Sequence, residues 1–81
     1  MNKPWQELDV TKEKLDELWG ILQFLKENAS EIEYPMLFLI DLRYDKFYKD
    51  QQEHWNENDA KMLYYSLYRD LVHNNFIEEE E

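Results

Sequence analysis

The sequence predicts an all-α fold, in its simplest form a small three-helix bundle. Two segments, residues 11–28 and 56–75, carry apolar residues at the spacing of one helical face and begin at good helix-capping residues. The chain has 81 residues and a single glycine, and 43% of it is apolar, enough for one modest core. We expect one helical domain over residues 1–77 and an acidic C-terminal tail over residues 78–81.

The first helix is predicted to begin at Thr11 and to end near residues 28–30. Threonine is a good N-cap, and Val10 and Leu15 occupy the two positions of a hydrophobic staple. Gly20 lies in mid-helix, where glycine costs about 1 kcal/mol relative to alanine, so we expect it to allow another backbone to approach closely. The buried stripe of this helix is predicted to consist of Leu15, Leu18, Trp19, Leu22 and Leu25. The lead-in residues expected to fold back onto the core are Trp5, Leu8 and Val10.

The middle segment, residues 34–50, is predicted to form the second helix. Pro35 suits the first turn of a helix. One helical face would then carry Leu37, Ile40, Tyr44, Phe47 and Tyr48. Further apolar side chains lie off that face, so we expect this helix to be buried on more than one side at its start: Met36, Phe38 and Leu39.

The alternative for this segment is a β-hairpin at about residues 36–53 between two helices, which would make the fold α+β. Apolar and charged side chains alternate with period two over part of the segment. The helix is favoured because a hairpin turn at residues 45–46 would lack glycine and asparagine. That hairpin would also place the carboxylates of Asp41 and Asp50 opposite each other.

The third helix is predicted to follow a polar connection over residues 51–58. Asn56 and Asn58 are both suitable N-caps, and Asn74 or Asn75 is expected to end the helix because asparagine tolerates the left-handed conformation. The inner stripe of this helix would consist of Ala60, Leu63, Tyr64, Leu67 and Leu71.

The residues that carry enzyme chemistry are sparse. The chain has no cysteine, its one glycine excludes glycine-rich phosphate loops, and Ser30 and Ser66 do not lie in a nucleophile elbow. His54 and His73 each follow an aspartate at helical spacing, which is more typical of exposed helix pairs than of metal ligands. We therefore expect a protein that is not an enzyme and has no catalytic residue, metal site or cofactor.

The charge balance indicates the kind of partner. Nineteen acidic and nine basic residues give a net charge of −10, which opposes direct binding to nucleic acid or to an anionic membrane. The same field favours approach to a basic protein surface. The absence of cysteine and of a long apolar run predicts a cytoplasmic protein.

The sequence therefore predicts a small acidic protein-binding module, a regulator or inhibitor that occupies a basic, nucleic-acid-binding surface of its partner as a DNA mimic does. Tyr65 points away from the inner stripe and is expected at the surface. The candidate contact residues are Glu13, Asp16, Glu17, Glu27, Glu31, Glu33, Asp41, Asp45, Asp50, Glu53, Trp55, Glu57, Asp59 and Tyr65.

An alternative is a helical adaptor or self-associating domain, including a homodimer, in which charge serves solubility alone. Its contact would be an apolar or aromatic patch at Tyr65, Trp55 or the flank that carries Ile21 and Phe24.

Overall fold

Three helices form most of the described part of the chain, residues 9–79, in a computed structural model. They are α1 (Lys12–Glu27), α2 (Tyr34–Glu53) and α3 (Glu57–His73), and each contacts the other two. The all-α three-helix prediction is confirmed. The hairpin alternative is wrong, because α2 covers the hairpin segment and no strand occurs within residues 9–79.

Helix α1 has the predicted start. The Thr11 side chain accepts the backbone N–H of Lys14 at 3.1 Å, and Val10 and Leu15 are both buried. The predicted contacts of Trp5 and Leu8 lie outside the described residues. Gly20 is exposed, and an added Cβ would meet no described atom within 4 Å. The close approach expected at Gly20 is therefore not made by any described part of the chain.

Helix α2 extends further than predicted at its C-terminal end and shortens the connection to residues 54–56. Gln51, predicted as part of that connection, is buried in α2. Its Oε1 accepts the backbone N–H of Asn56 at 2.9 Å, so the buried amide fixes the chain just before α3 begins.

The start of α2 is not buried on more than one side, which corrects the prediction for three of its apolar residues. Only one side of α2, carrying Leu37, Ile40 and Tyr44, faces α1 and α3. A helix in a three-helix bundle has neighbours along one side alone, so apolar residues elsewhere on it stay exposed. These are Met36, Phe38 and Leu39, and Leu42 joins them.

Helix α3 is capped at both ends as its asparagines predict. The Asn56 side chain accepts the backbone N–H of Asp59 at 3.0 Å. After His73, Asn75 adopts a left-handed conformation with φ of 64°. The N–H of Phe76 donates to the Leu71 carbonyl and that of Asn75 to the Val72 carbonyl, at 2.9 and 3.0 Å, which is a Schellman motif.

Polar contacts between side chains fix the helices around a leucine-rich core. Tyr48 stacks on Trp19 with ring centroids 4.5 Å apart and donates to Asp16 of α1 at 2.8 Å. Tyr44 donates to Asp70 of α3 at 2.6 Å. None of the helices described in residues 9–79 has the length and apolar character needed to cross a membrane.

Candidate partner-binding surface

Most of the net negative charge lies outside the helices. α1 and α2 each carry three cations against four carboxylates, and α3 carries two against three, so each helix has a net charge of −1. The helices thus account for −3 of the net −10. The larger share lies at Glu31 and Glu33 and at the two ends of the sequence, mainly in the four glutamates of the C-terminal tail.

Two carboxylates predicted to contact a partner, Asp16 and Asp41, are half-buried and bound to other helices of the domain. The sequence predicts Asp41 at the surface, but its side chain is only 15% exposed because it accepts hydrogen bonds from Lys26 at 2.6 Å and Gln23 at 2.8 Å. Asp16 accepts hydrogen bonds from Tyr48 and Gln52, both at 2.8 Å. Such carboxylates already have partners and are poorly placed to meet another protein.

Other predicted carboxylates form local pairs at the surface. Asp45 pairs with Lys49 at 3.1 Å and Glu57 with Lys61 at 3.3 Å, each one helical turn apart. The Glu33 carboxylate accepts a hydrogen bond from the backbone N–H of Ser30 at 3.3 Å. The backbone N–H of Glu33 in turn donates to the Ser30 hydroxyl. The Asp45–Lys49 pair is exposed on both sides, and such pairs are weak and exchange readily, whereas the Lys61 side chain is only 18% exposed.

The remaining predicted carboxylates are exposed and form no ion pair within residues 9–79. They fall into three places. The outer side of α1 carries Glu13, Glu17 and Glu27, and the turn before α2 carries Glu31. The end of the bundle where α2 meets α3 carries Asp50, Glu53 and Asp59.

The end where α2 meets α3 also contains a concave apolar surface. Its volume is about 380 Å³. We call this surface the acidic groove, and it is lined by Tyr44, Phe47, Asp50, Gln51, Asp59, Met62, Leu63 and Ser66. Phe47 and Met62 are exposed, whereas Tyr44, Gln51 and Leu63 are buried beneath them. An apolar side chain from a partner would therefore meet apolar walls there, next to two carboxylates.

The acidic groove lies beside the connection that carries Trp55. The indole is 39% exposed, and Glu53 and Glu57 flank it in sequence. The structure thus brings five of the predicted contact residues to one end of the bundle: Asp50, Glu53, Trp55, Glu57 and Asp59.

Tyr65 is half-buried, not surface-exposed as the prediction had it. It lines a separate pocket together with Lys14, Arg69 and Glu79. Arg69 pairs with Glu79 at 2.6 Å, so part of the acidic tail folds back over α3 at this point. Tyr65 is thus on a different surface from the acidic groove.

The phenol of Tyr44 in the acidic groove is held in its neutral form. Burial raises the pKa of Tyr44 to about 12, and the hydrogen bond to Asp70 and the charge of that carboxylate act in the same direction. Burial and Asp16 likewise raise the pKa of Tyr48 to about 12. Both phenols serve as hydrogen-bond donors that hold the helices together.

The histidines do not converge with other ligands. His54 is the C-cap of α2, and His73 contacts the Arg69 guanidinium at 2.7 Å. No cluster of three or more histidine, cysteine or acidic side chains suited to a metal ion occurs in residues 9–79.

The apolar walls of the acidic groove are not predicted from the sequence. Helical spacing predicts Phe47 on the inner face of α2 and predicts no role for Met62, because the groove exists only once α2 and α3 are side by side. The two sides of the groove are marked in the sequence by helical spacing. Phe47 and Gln51 are one turn apart on α2, and Asp59, Met62 and Ser66 follow at successive turns on α3.

No known protein family, curated protein or solved structure matches this chain.

Proposed function

We propose that the protein is a small binding module that occupies a basic surface of another protein and thereby regulates or inhibits it. The observation that supports this is the acidic groove: its apolar walls lie beside Asp50 and Asp59, whose carboxylates form no ion pair with any described cation. An apolar side chain of the partner would insert between Phe47 and Met62. Lysine or arginine side chains next to it would pair with the two aspartates.

The partner surface would be amphipathic as well as basic. The net charge of −10 steers basic surfaces toward the protein, and the groove selects those that also present an aliphatic or aromatic side chain. The basic surface of a nucleic-acid-binding protein fits this description. We propose that the protein acts by binding and not by catalysis. We also propose that it does so in the cytoplasm, because the chain has no cysteine.

A probe of known pattern tests the proposal directly. The probe is a fluorescent synthetic helical peptide of leucine and lysine with its leucines on one face, compared with a scrambled peptide of equal composition. We expect the patterned peptide to bind more tightly, and Asp50→Asn with Asp59→Asn to weaken binding about tenfold. Higher salt should also weaken it, because the attraction between opposite charges is screened.

The matched control is Glu13→Gln with Glu17→Gln, which makes the same change in net charge on the outer side of α1. It should leave peptide affinity within about twofold of the unchanged protein. Equal losses in the two double variants, or equal binding of the two peptides, would show that net charge alone attracts the probe and would contradict a role for the groove.

Self-association through an apolar patch is a second candidate, because one side of α2 leaves large apolar side chains uncovered. Its location differs from the patches predicted at Tyr65, Trp55 and the flank that carries Ile21 and Phe24.

A further inference from the structure

The outward side of α2 carries large apolar side chains that stay exposed, although Lys26 of α1 reaches the edge of this side with its Nζ 5.9 Å from the centre of the Phe38 ring. Phe38, Leu39 and Leu42 are 42%, 54% and 59% exposed. Phe38 and Leu42 lie one helical turn apart on the same side, and Leu39 is beside them. A contiguous apolar patch on a small domain costs free energy in water and marks a contact surface.

Opposite charges lie at the two ends of this apolar stretch. The turn before α2 already follows the helical path, because the N–H of Tyr34 donates to the Ser30 carbonyl at 2.9 Å. Glu31 precedes Phe38 by seven residues, and Lys49 follows Leu42 by seven residues. Seven residues are about two helical turns, so both charged side chains lie on the same side as the apolar pair.

We propose that this side of α2, with Phe38, Leu39, Leu42 and Lys49, forms the interface of a homodimer together with Glu31 of the preceding turn. The two copies of α2 would pack antiparallel about a two-fold axis near residue 40. Phe38 and Leu42 are equidistant from that axis, and so are Glu31 and Lys49. Each Phe38 then meets Leu42 of the second copy, and each Glu31 meets its Lys49, as an isologous contact requires.

The charges present on α2 are compatible with this arrangement. Lys49 pairs with Asp45 of its own helix at 3.1 Å, but its side chain is 72% exposed, and such a pair is easily exchanged. The net charge of −10 on each copy opposes association. Because salt screens that repulsion while the apolar contact persists, the dimer should strengthen with salt, opposite in sign to binding of a basic partner.

Sedimentation equilibrium of the full chain over a range of concentrations and salt tests the apolar contact. We expect the unchanged protein to approach twice the monomer mass, and Leu42→Glu to weaken association at least about a hundredfold. Phe24→Glu is the matched control, since it makes the same type of change at an exposed position on the outer side of α1. It should weaken the dimer far less.

A charge swap tests the antiparallel register. Glu31→Lys alone and Lys49→Glu alone each place like charges together at both ends of the dimer, so each should weaken self-association about tenfold. Mixing the two variants restores both opposite-charge pairs, so a heterodimer should form about as tightly as the unchanged homodimer. All the exchanged side chains are exposed, and circular dichroism checks that each variant keeps its helices.

A strictly monomeric protein at millimolar concentration and high salt would overturn the homodimer and leave the patch for a different chain. A dimer that tolerates Leu42→Glu, or a mixture of charge variants that associates no better than either alone, would place the interface elsewhere. None of these outcomes bears on the acidic groove, whose residues are not altered.

Discussion

At the scale of single residues, the tyrosines show how burial and a carboxylate act together. Tyr44 and Tyr48 each donate to an aspartate on a neighbouring helix, at 2.6 and 2.8 Å. A carboxylate accepts a hydrogen bond from a phenol but repels a phenolate. Each pair therefore ties α2 to another helix only while its tyrosine stays protonated.

This has a consequence for stability at high pH. The pKa of both tyrosines rises from about 10 in the unfolded chain to about 12 in the folded one. The folded state thus holds the proton more tightly. The stabilisation from each tyrosine is complete below pH 10 and is lost as the pH rises from 10 to 12.

We predict that the absorbance of tyrosinate will show Tyr44 and Tyr48 titrating late, together with loss of helix by circular dichroism as the pH rises from 10 to about 12. Tyr48→Phe is the informative variant, because it removes the titrating group while keeping the ring that stacks on Trp19. It should remove one late-titrating group from the absorbance curve. Six tyrosines titrating together near pH 10 would contradict the raised pKa values.

At the scale of the helix, no contact with the described residues requires a glycine at position 20. Space surrounds its Cα, so an added methyl group would contact nothing within 4 Å. Gly20→Ala should therefore raise the free energy of unfolding by about 0.5–1 kcal/mol, because alanine loses less backbone entropy in a helix. Thermal and urea unfolding measure this change.

Gly20→Ser is the graded control and should give a smaller gain than alanine. If Gly20→Ala instead lowers the stability, another part of the folded chain must occupy that space, and the close approach that the sequence predicts would be real.

The ends of the helices could be predicted because their signals are local. Thr11, Asn56 and Asn75 each act within a few residues of their own position, through a side-chain acceptor or a left-handed backbone. The exposure of Phe38 and Leu39 could not be predicted in the same way. Helical spacing shows which residues share a face, but which face is covered depends on where the other helices pack.

The candidate site likewise has parts with a local signal and parts that depend on tertiary packing. Composition and spacing predict the exposed carboxylates near Trp55. Asp41 is not available to a partner because it pairs with Lys26, which lies fifteen residues away on another helix. This pair depends on tertiary packing and has no local signal in the sequence. The same holds for the acidic groove, whose two walls come from different helices.

At the scale of the whole molecule, the charge distribution sets how the fold responds to salt. Each helix is close to neutral, while the turn before α2 and the tail carry the excess. Repulsion among these groups destabilises the compact state, and salt screens it. We predict that the melting temperature at micromolar protein concentration rises by about 2–5 °C between 10 and 500 mM sodium chloride.

Glu13→Gln with Glu17→Gln lowers the net negative charge without removing an ion pair of the described residues, so its melting temperature should respond less to salt. A melting temperature that falls with salt would show that the attractive pairs, such as Lys26–Asp41, outweigh the repulsion.

The pocket that holds Tyr65 has one more implication. Asp9 and Val10, just before α1, and Glu79, after α3, line this same small hollow. In a permutant that comprises residues 9–79, a short flexible linker would therefore join Glu79 to Asp9, and the new termini would lie between Ala29 and Ser30. Such a circular permutant would keep all three helices and the caps of α1 and α3, and its helices would follow one another in the order α2, α3, α1.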